Sequence, residues 1–151
     1  MDKQKTITLV ELIIIFFIII MLFSTIFVTY LDFTKHYKIK STRKNHSTII
    51  SIIDSEKENC SEGSKEWIWN DKVPITCGSI LIDDQTDKFF NDIIELKNPY
   101  DKGNAVFEVS SIPNTLSPGI NYIMLNKDEN RLKVTTLLEY DGKLLETTNH
   151  F

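Results

Sequence analysis

Glycine and proline are scarce in this chain, with five Gly and four Pro in 151 residues. So few of either exclude a collagen-like repeat and a low-complexity linker chain, and five scattered glycines form no phosphate-cradling loop. No Gly or Pro precedes Gly63, so nothing forces a helix to break between Thr8 and about Glu58. Cysteine is limited to Cys60 and Cys77, and the three histidines, His36, His46 and His150, are scattered, which leaves no zinc-ligand spacing. HExxH and CxxC are missing, and no Ser-His-Asp or Cys-His arrangement can be nominated. The sequence therefore argues against an enzyme, with no catalytic residue, metal site or cofactor expected.

A different absence defines the N-terminal part. From Leu12 to Leu31 there is no charged residue, and the wider run Thr6–Tyr30 carries one charge, Glu11. Twenty such residues suffice for a helix to cross a hydrocarbon core of about 30 Å. The run is too long for the apolar core of a secretory signal peptide, and no Ala-x-Ala cleavage pattern follows it, so it reads as a retained anchor. A carboxylate just inside such a run is costly unless it has a partner, and is a functional-site candidate by default.

Charge is unevenly distributed beyond the anchor. Residues 35–44 hold Lys35, Lys38, Lys40, Arg43 and Lys44 without an acid. From Gly63 to Phe151 there are 14 acidic and 9 basic residues, a net of −5, so nucleic acid is not an expected partner of that region. Residues 38–48 are nearly all polar and read as a solvent-facing collar on a continuing helix; the alternative is that the five cations meet acidic domains of other copies in an assembly. Ile49, Ile50, Ile52 and Ile53 supply the apolar stripe that would pack on a sheet.

Cys60 and Cys77 enclose sixteen residues. In an oxidising compartment the pair would close a loop worth about 3 kcal/mol in the chain-entropy model; in the cytosol they would be two free thiols. Trp67-Ile68-Trp69 alternates like a short strand or a loop lying on the core. Ser79–Ile82 is a short apolar run, and Asp83–Lys97 has helical spacing with Phe89, Phe90, Ile93 and Ile94 on one face, ended by Asn98-Pro99. Its acids lack calcium-loop spacing. Ala105–Ser111, Gly119–Asn126, Leu132–Tyr140 and Lys143–Thr147 then read as an antiparallel meander, with Leu132, Val134, Thr136, Leu138 and Tyr140 on one face and Asp141-Gly142 as the strongest hairpin signal. The expected fold is α+β: a long N-terminal helix packed on a small antiparallel β-sheet.

The segment Thr6-Ile7-Thr8-Leu9-Val10-Glu11-Leu12, behind a short Lys-containing leader, resembles the N-terminal signature of type IV pilins and pseudopilins. That signature is a Gly, then Phe-Thr-Leu-Ile/Val-Glu, then a long apolar helix. Thr8 to Leu12 match it in type and order, while Thr6 stands in place of the Gly and Ile7 in place of the Phe. The resemblance implies a leader at residues 1–6, a transmembrane and filament-core helix at 7–31, its amphipathic continuation at 32–59 and a globular head at 60–151. It implies processing between Thr6 and Ile7 by a prepilin peptidase, methylation of the new N-terminus, and an assembly role for Glu11 through the free amine of a neighbouring subunit. The protein would wait in the inner membrane of a two-membrane bacterium with its head in the periplasm, then enter a filament through the pilus or secretion machinery. Counting flanking cations alone would place the head in the cytoplasm; the signature and the Cys pair point outward, and that orientation is adopted. The alternatives are a minor pilin or type II secretion pseudopilin, or an anchored periplasmic binding module that never polymerises.

Overall fold

The computed structural model describes residues 8–60, 65–69, 73–78, 90, 96–101, 103, 106–109, 115–126, 129 and 131–150. Thr6, Ile7, the run Ser79–Ile82 and nearly all of the expected helix Asp83–Lys97 lie outside them. So do the side chains of Trp67 and Trp69, although their backbone is strand. The chain divides between Tyr37 and Lys38 into two compact units.

One helix, α1, runs from Leu9 to Cys60, 52 residues, as expected where no Gly or Pro interrupts. In the first unit its apolar side chains are exposed on every side: Leu9 at 75%, Phe16 at 61%, Ile20 at 46% and Phe27 at 62%. In the second unit α1 buries Thr42, Asn45, His46, Ile49, Ile52, Ile53 and Glu56. Those steps of three and four residues define one helical face. Ile49, Ile52 and Ile53 are fully buried, each contributing about 1.5–3 kcal/mol over exposure.

That face belongs to a core shared with Ile75, Phe90, Phe107, Ile123, Leu132 and Val134. Strands β1 (Glu66–Trp69) and β2 (Val73–Thr76) pair antiparallel as a separate hairpin. The main sheet is β3 (Phe107–Val109), β4 (Asn121–Asn126), β5 (Arg131–Leu137) and β6 (Leu144–His150), in that spatial order. Strand β5 pairs antiparallel with β4 from Arg131 to Thr136 and with β6 across its whole length.

Three features depart from the sequence expectation. The sheet is mixed, because β3 runs parallel to β4. Period-two alternation identifies strands without giving their direction, and the link between Val109 and Asn121, with Pro113 and Pro118, is too long for a tight hairpin. The residue 38–48 collar is not wholly solvent-facing, since Thr42, Asn45 and His46 are buried at 0%, 5% and 7% exposure. Tyr140 does not continue the inward row of β5: the strand ends at Leu137 and Tyr140 is 81% exposed. It sits in the loop before Gly142, whose φ is +86° and whose amide donates to the Glu139 carbonyl at 3.2 Å. The Asp141-Gly142 signal thus marked the right place, and left-handed Gly142 closes the turn.

Gly119 has a different reason for being glycine. Its φ is +83°, and a Cβ there would lie 2.3 Å from Asn98 Oδ1. That same oxygen accepts the Tyr100 amide at 2.9 Å, so the 98–101 turn is folded tightly against the chain entering β4.

Candidate functional site

Glu11 sits in the first turn of α1 and is locally partnered. Its Oε2 accepts the Thr8 backbone amide at 2.8 Å and the Thr8 hydroxyl at 2.9 Å. The Glu11 amide in turn donates to Thr8 Oγ1 at 3.4 Å, and the Leu12 amide to the Thr8 carbonyl at 3.1 Å. This reciprocal arrangement is a capping box, in which a Thr N-cap and a Glu three residues later satisfy each other's orphan amides. Sequence reasoning did not single out this Thr-x-x-Glu spacing, although it is the signature of the motif; the pairing supplies part of the compensation that a carboxylate in an apolar run requires. The processing residues Thr6 and Ile7 lie outside the described residues.

Below this cap the first unit offers an apolar cylinder. Its hydroxyls are turned back on the helix: Ser24 donates to the Met21 carbonyl at 2.9 Å, Thr25 to Leu22 at 2.9 Å and Thr29 to Thr25 at 2.8 Å. No hydroxyl proton among these three is left for solvent, which suits a lipid or a second helix as the surroundings. Among the described residues this is the one helix long and apolar enough to cross a membrane.

The second unit holds a polar seam between α1 and the sheet. His46 Nδ1 lies 2.8 Å from Thr136 Oγ1 on β5, and His46 Nε2 lies 3.0 Å from Thr147 Oγ1 on β6. Thr136 gives its one hydroxyl proton to Asn121 Oδ1 at 2.6 Å, and Asn121 Nδ2 donates to the Val106 carbonyl at 2.9 Å. The proton count then fixes the imidazole. With its proton committed to Asn121, Thr136 must accept from His46, so the ring carries hydrogen on Nδ1 and accepts the Thr147 hydroxyl at Nε2. Neutral His46 is fully satisfied, and burial pushes its pKa below the ordinary value. Asn45 adds a bond from the same face, Nδ2 to the Lys97 carbonyl at 3.1 Å.

These bonds join α1 to three strands and read as a structural latch. Sequence reasoning missed His46 because a lone histidine in a polar stretch looks solvated; the only available signal was its place on the Thr42–Ile49–Ile53 spacing.

At its far end α1 is tied by the disulfide Cys60–Cys77, with Cα atoms 5.6 Å apart. Next to it the buried Glu56 carboxylate accepts the Gly78 amide at 2.8 Å. The two tethers hold the same turn, Cys77-Gly78, to adjacent turns of α1. Among the described residues no group of three His, Cys, Asp or Glu side chains could hold a metal ion. No family profile, curated protein or solved structure matches the chain.

Proposed function

We propose that this chain is a type IV pilin-like structural subunit, anchored in the inner membrane by α1 with its head in the periplasm, and assembled into a filament through the same helix. The observation that carries the reading is the capped, all-round apolar N-terminal part of α1, exposed along its length and led by Thr8-Leu9-Val10-Glu11. A helix apolar on every face must be surrounded by lipid or by other helices. The disulfide supports an oxidising location for the head. Self-association is then the activity, with the prepilin peptidase and the assembly machinery as partners; adhesion or motility would belong to the whole fibre.

The capping box makes a sharp test possible. Glu11→Gln keeps an acceptor for the Thr8 amide and so keeps the cap, but removes the charge that would meet a neighbour's free amine. The expected result is that Glu11→Gln inserts in the membrane normally and fails to enter filaments. Mass spectrometry of the native N-terminus runs alongside, with methylated Ile7 as the expected first residue. Normal filaments from Glu11→Gln would remove Glu11 from assembly. An intact Met1 on a chain found only in membranes would favour the anchored binding module.

A further inference from the structure

Three cations of α1 take no part in the packing described above. Lys40, Arg43 and Lys44 are all exposed, and their spacing puts them on one turn, on the side of the helix opposite the stripe Thr42, Asn45, His46 and Ile49. Lys38 differs, because its ammonium lies 5.3 Å from the centre of the Tyr100 ring. The nearest acids on α1 are Asp32 and Asp54, and neither falls within four positions of the three cations, the range over which helical side chains pair. Among the described residues, none of the three forms an ion pair. Lys40 and Lys44 stand four apart, a like-charge spacing that slightly destabilises a helix until an anion arrives.

The chain carries the complementary charge itself. From Gly63 onward it has 14 acidic and 9 basic residues, a net of −5. Each copy therefore carries a cationic helix turn and, in the sequence from Gly63 onward, an excess of acid. A contact between the turn of one copy and the head of another joins two different surfaces, and leaves one of each unused at the ends. Such heterologous contacts propagate as open arrays when their rotation does not close. We propose that the Lys40–Arg43–Lys44 face of α1 docks on the acidic head of a second copy of this chain. This rests on the filament reading, to which it adds a polar contact that sets which copies meet and makes assembly sensitive to salt.

The test uses full-length protein, purified in detergent and assembled by detergent removal, comparing wild type with K40Q/R43Q/K44Q and K40E/R43E/K44E. Circular dichroism checks that each variant keeps its helix. The protein concentration at which sedimentable assemblies appear is measured across a salt series. An equal mixture of isotope-labelled and unlabelled chains is cross-linked with a carbodiimide and mapped by mass spectrometry. Neutralising the three cations should raise the required concentration about tenfold, the sum of three exposed ion pairs, and flatten the salt dependence. Intermolecular links should join Lys40 or Lys44 to carboxylates beyond Gly63. Variants that assemble at the wild-type concentration and salt dependence, or cross-links that avoid these lysines, would overturn the inference and leave the filament reading standing. Wild-type protein that never sediments overturns both. If the variants lose adsorption to phosphatidylglycerol vesicles while assembly is unchanged, the face serves a lipid surface and the inference falls.

Discussion

His46 donates from Nδ1 to the Thr136 hydroxyl across 2.8 Å, and the direction of that bond is set one residue further on, where Thr136 spends its own proton on Asn121 Oδ1 at 2.6 Å. The two ends of this pair are therefore unequal. In Thr136→Val, His46 Nδ1 faces a methyl in either tautomer and Asn121 Oδ1 loses its donor. In His46→Leu, Thr136 still donates to Asn121, and Thr147, half-buried, can turn to water.

The threonine should thus be the more costly residue to remove. Thr136→Val is expected to lose about 2–4 kcal/mol, and His46→Leu about 1–2 kcal/mol, because stranded buried polar groups cost more than matched deletions. Urea unfolding of the full-length protein in detergent, followed by tryptophan fluorescence, measures both. Equal losses would show that the proton inventory is wrong.

The same ring gives the head a pH dependence. Burial lowers the folded pKa of His46, whereas an unfolded histidine titrates near ~6.5. Above that value the ring is neutral in both states and its contribution is complete. As the pH falls through it, the unfolded chain takes up a proton that the folded one resists, so stability declines until the folded ring also titrates. Among the described residues of the sheet no ionisable side chain offsets this: β5 and β6 present Val134, Thr136, Leu145 and Thr147 towards α1, and Lys133 and Glu146 pair at 2.8 Å on the far side. The stability difference between wild type and His46→Gln should shrink from pH 7 to pH 5, roughly the span around the free histidine value. Parallel pH profiles for the two proteins would assign the dependence elsewhere.

Gly119 and Gly142 both have a positive φ and differ in what surrounds them. At Gly142 a Cβ meets nothing within 4 Å, whereas at Gly119 it meets Asn98 Oδ1 at 2.3 Å. Gly142→Ala should cost about 1–2 kcal/mol, the left-handed penalty alone. Gly119→Ala adds the displacement of Asn98, and with it the 98–101 turn, so it should cost about 3 kcal/mol or more. Thermal melts of the two variants rank them directly.

Loss of the disulfide should be costly and coupled to Glu56. Cys60→Ser with Cys77→Ser is expected to destabilise the head by about 3 kcal/mol. The Glu56–Gly78 bond then remains as the tether of the same turn. Glu56→Gln should cost more without the disulfide than with it, which a double-mutant cycle resolves. Strict additivity would show that the two tethers act independently.

The uninterrupted helix from Leu9, its exposed apolar length, the isoleucine face at Ile49, Ile52 and Ile53, and the turn at Asp141-Gly142 all follow from local rules. Spacing, the lack of Gly and Pro, and turn chemistry act within a few residues, so one chain read in order suffices for them. The capping box at Thr8 and Glu11 belongs with these, being a contact three residues long. The direction of β3, the burial of Asn45 and His46, and the closeness of Gly119 to Asn98 do not follow. Each depends on which distant segment arrives: Thr136 is 90 residues from His46, and Thr147 is 101. A polar residue is buried without penalty only where partners of matching hydrogen-bond capacity converge on it. Sequence alone determined that α1 needs apolar surroundings along its first half and a sheet beside its second. Only the tertiary structure decided that the sheet meets it through a satisfied histidine as well as through isoleucines, because that choice is made by side chains the fold brings together.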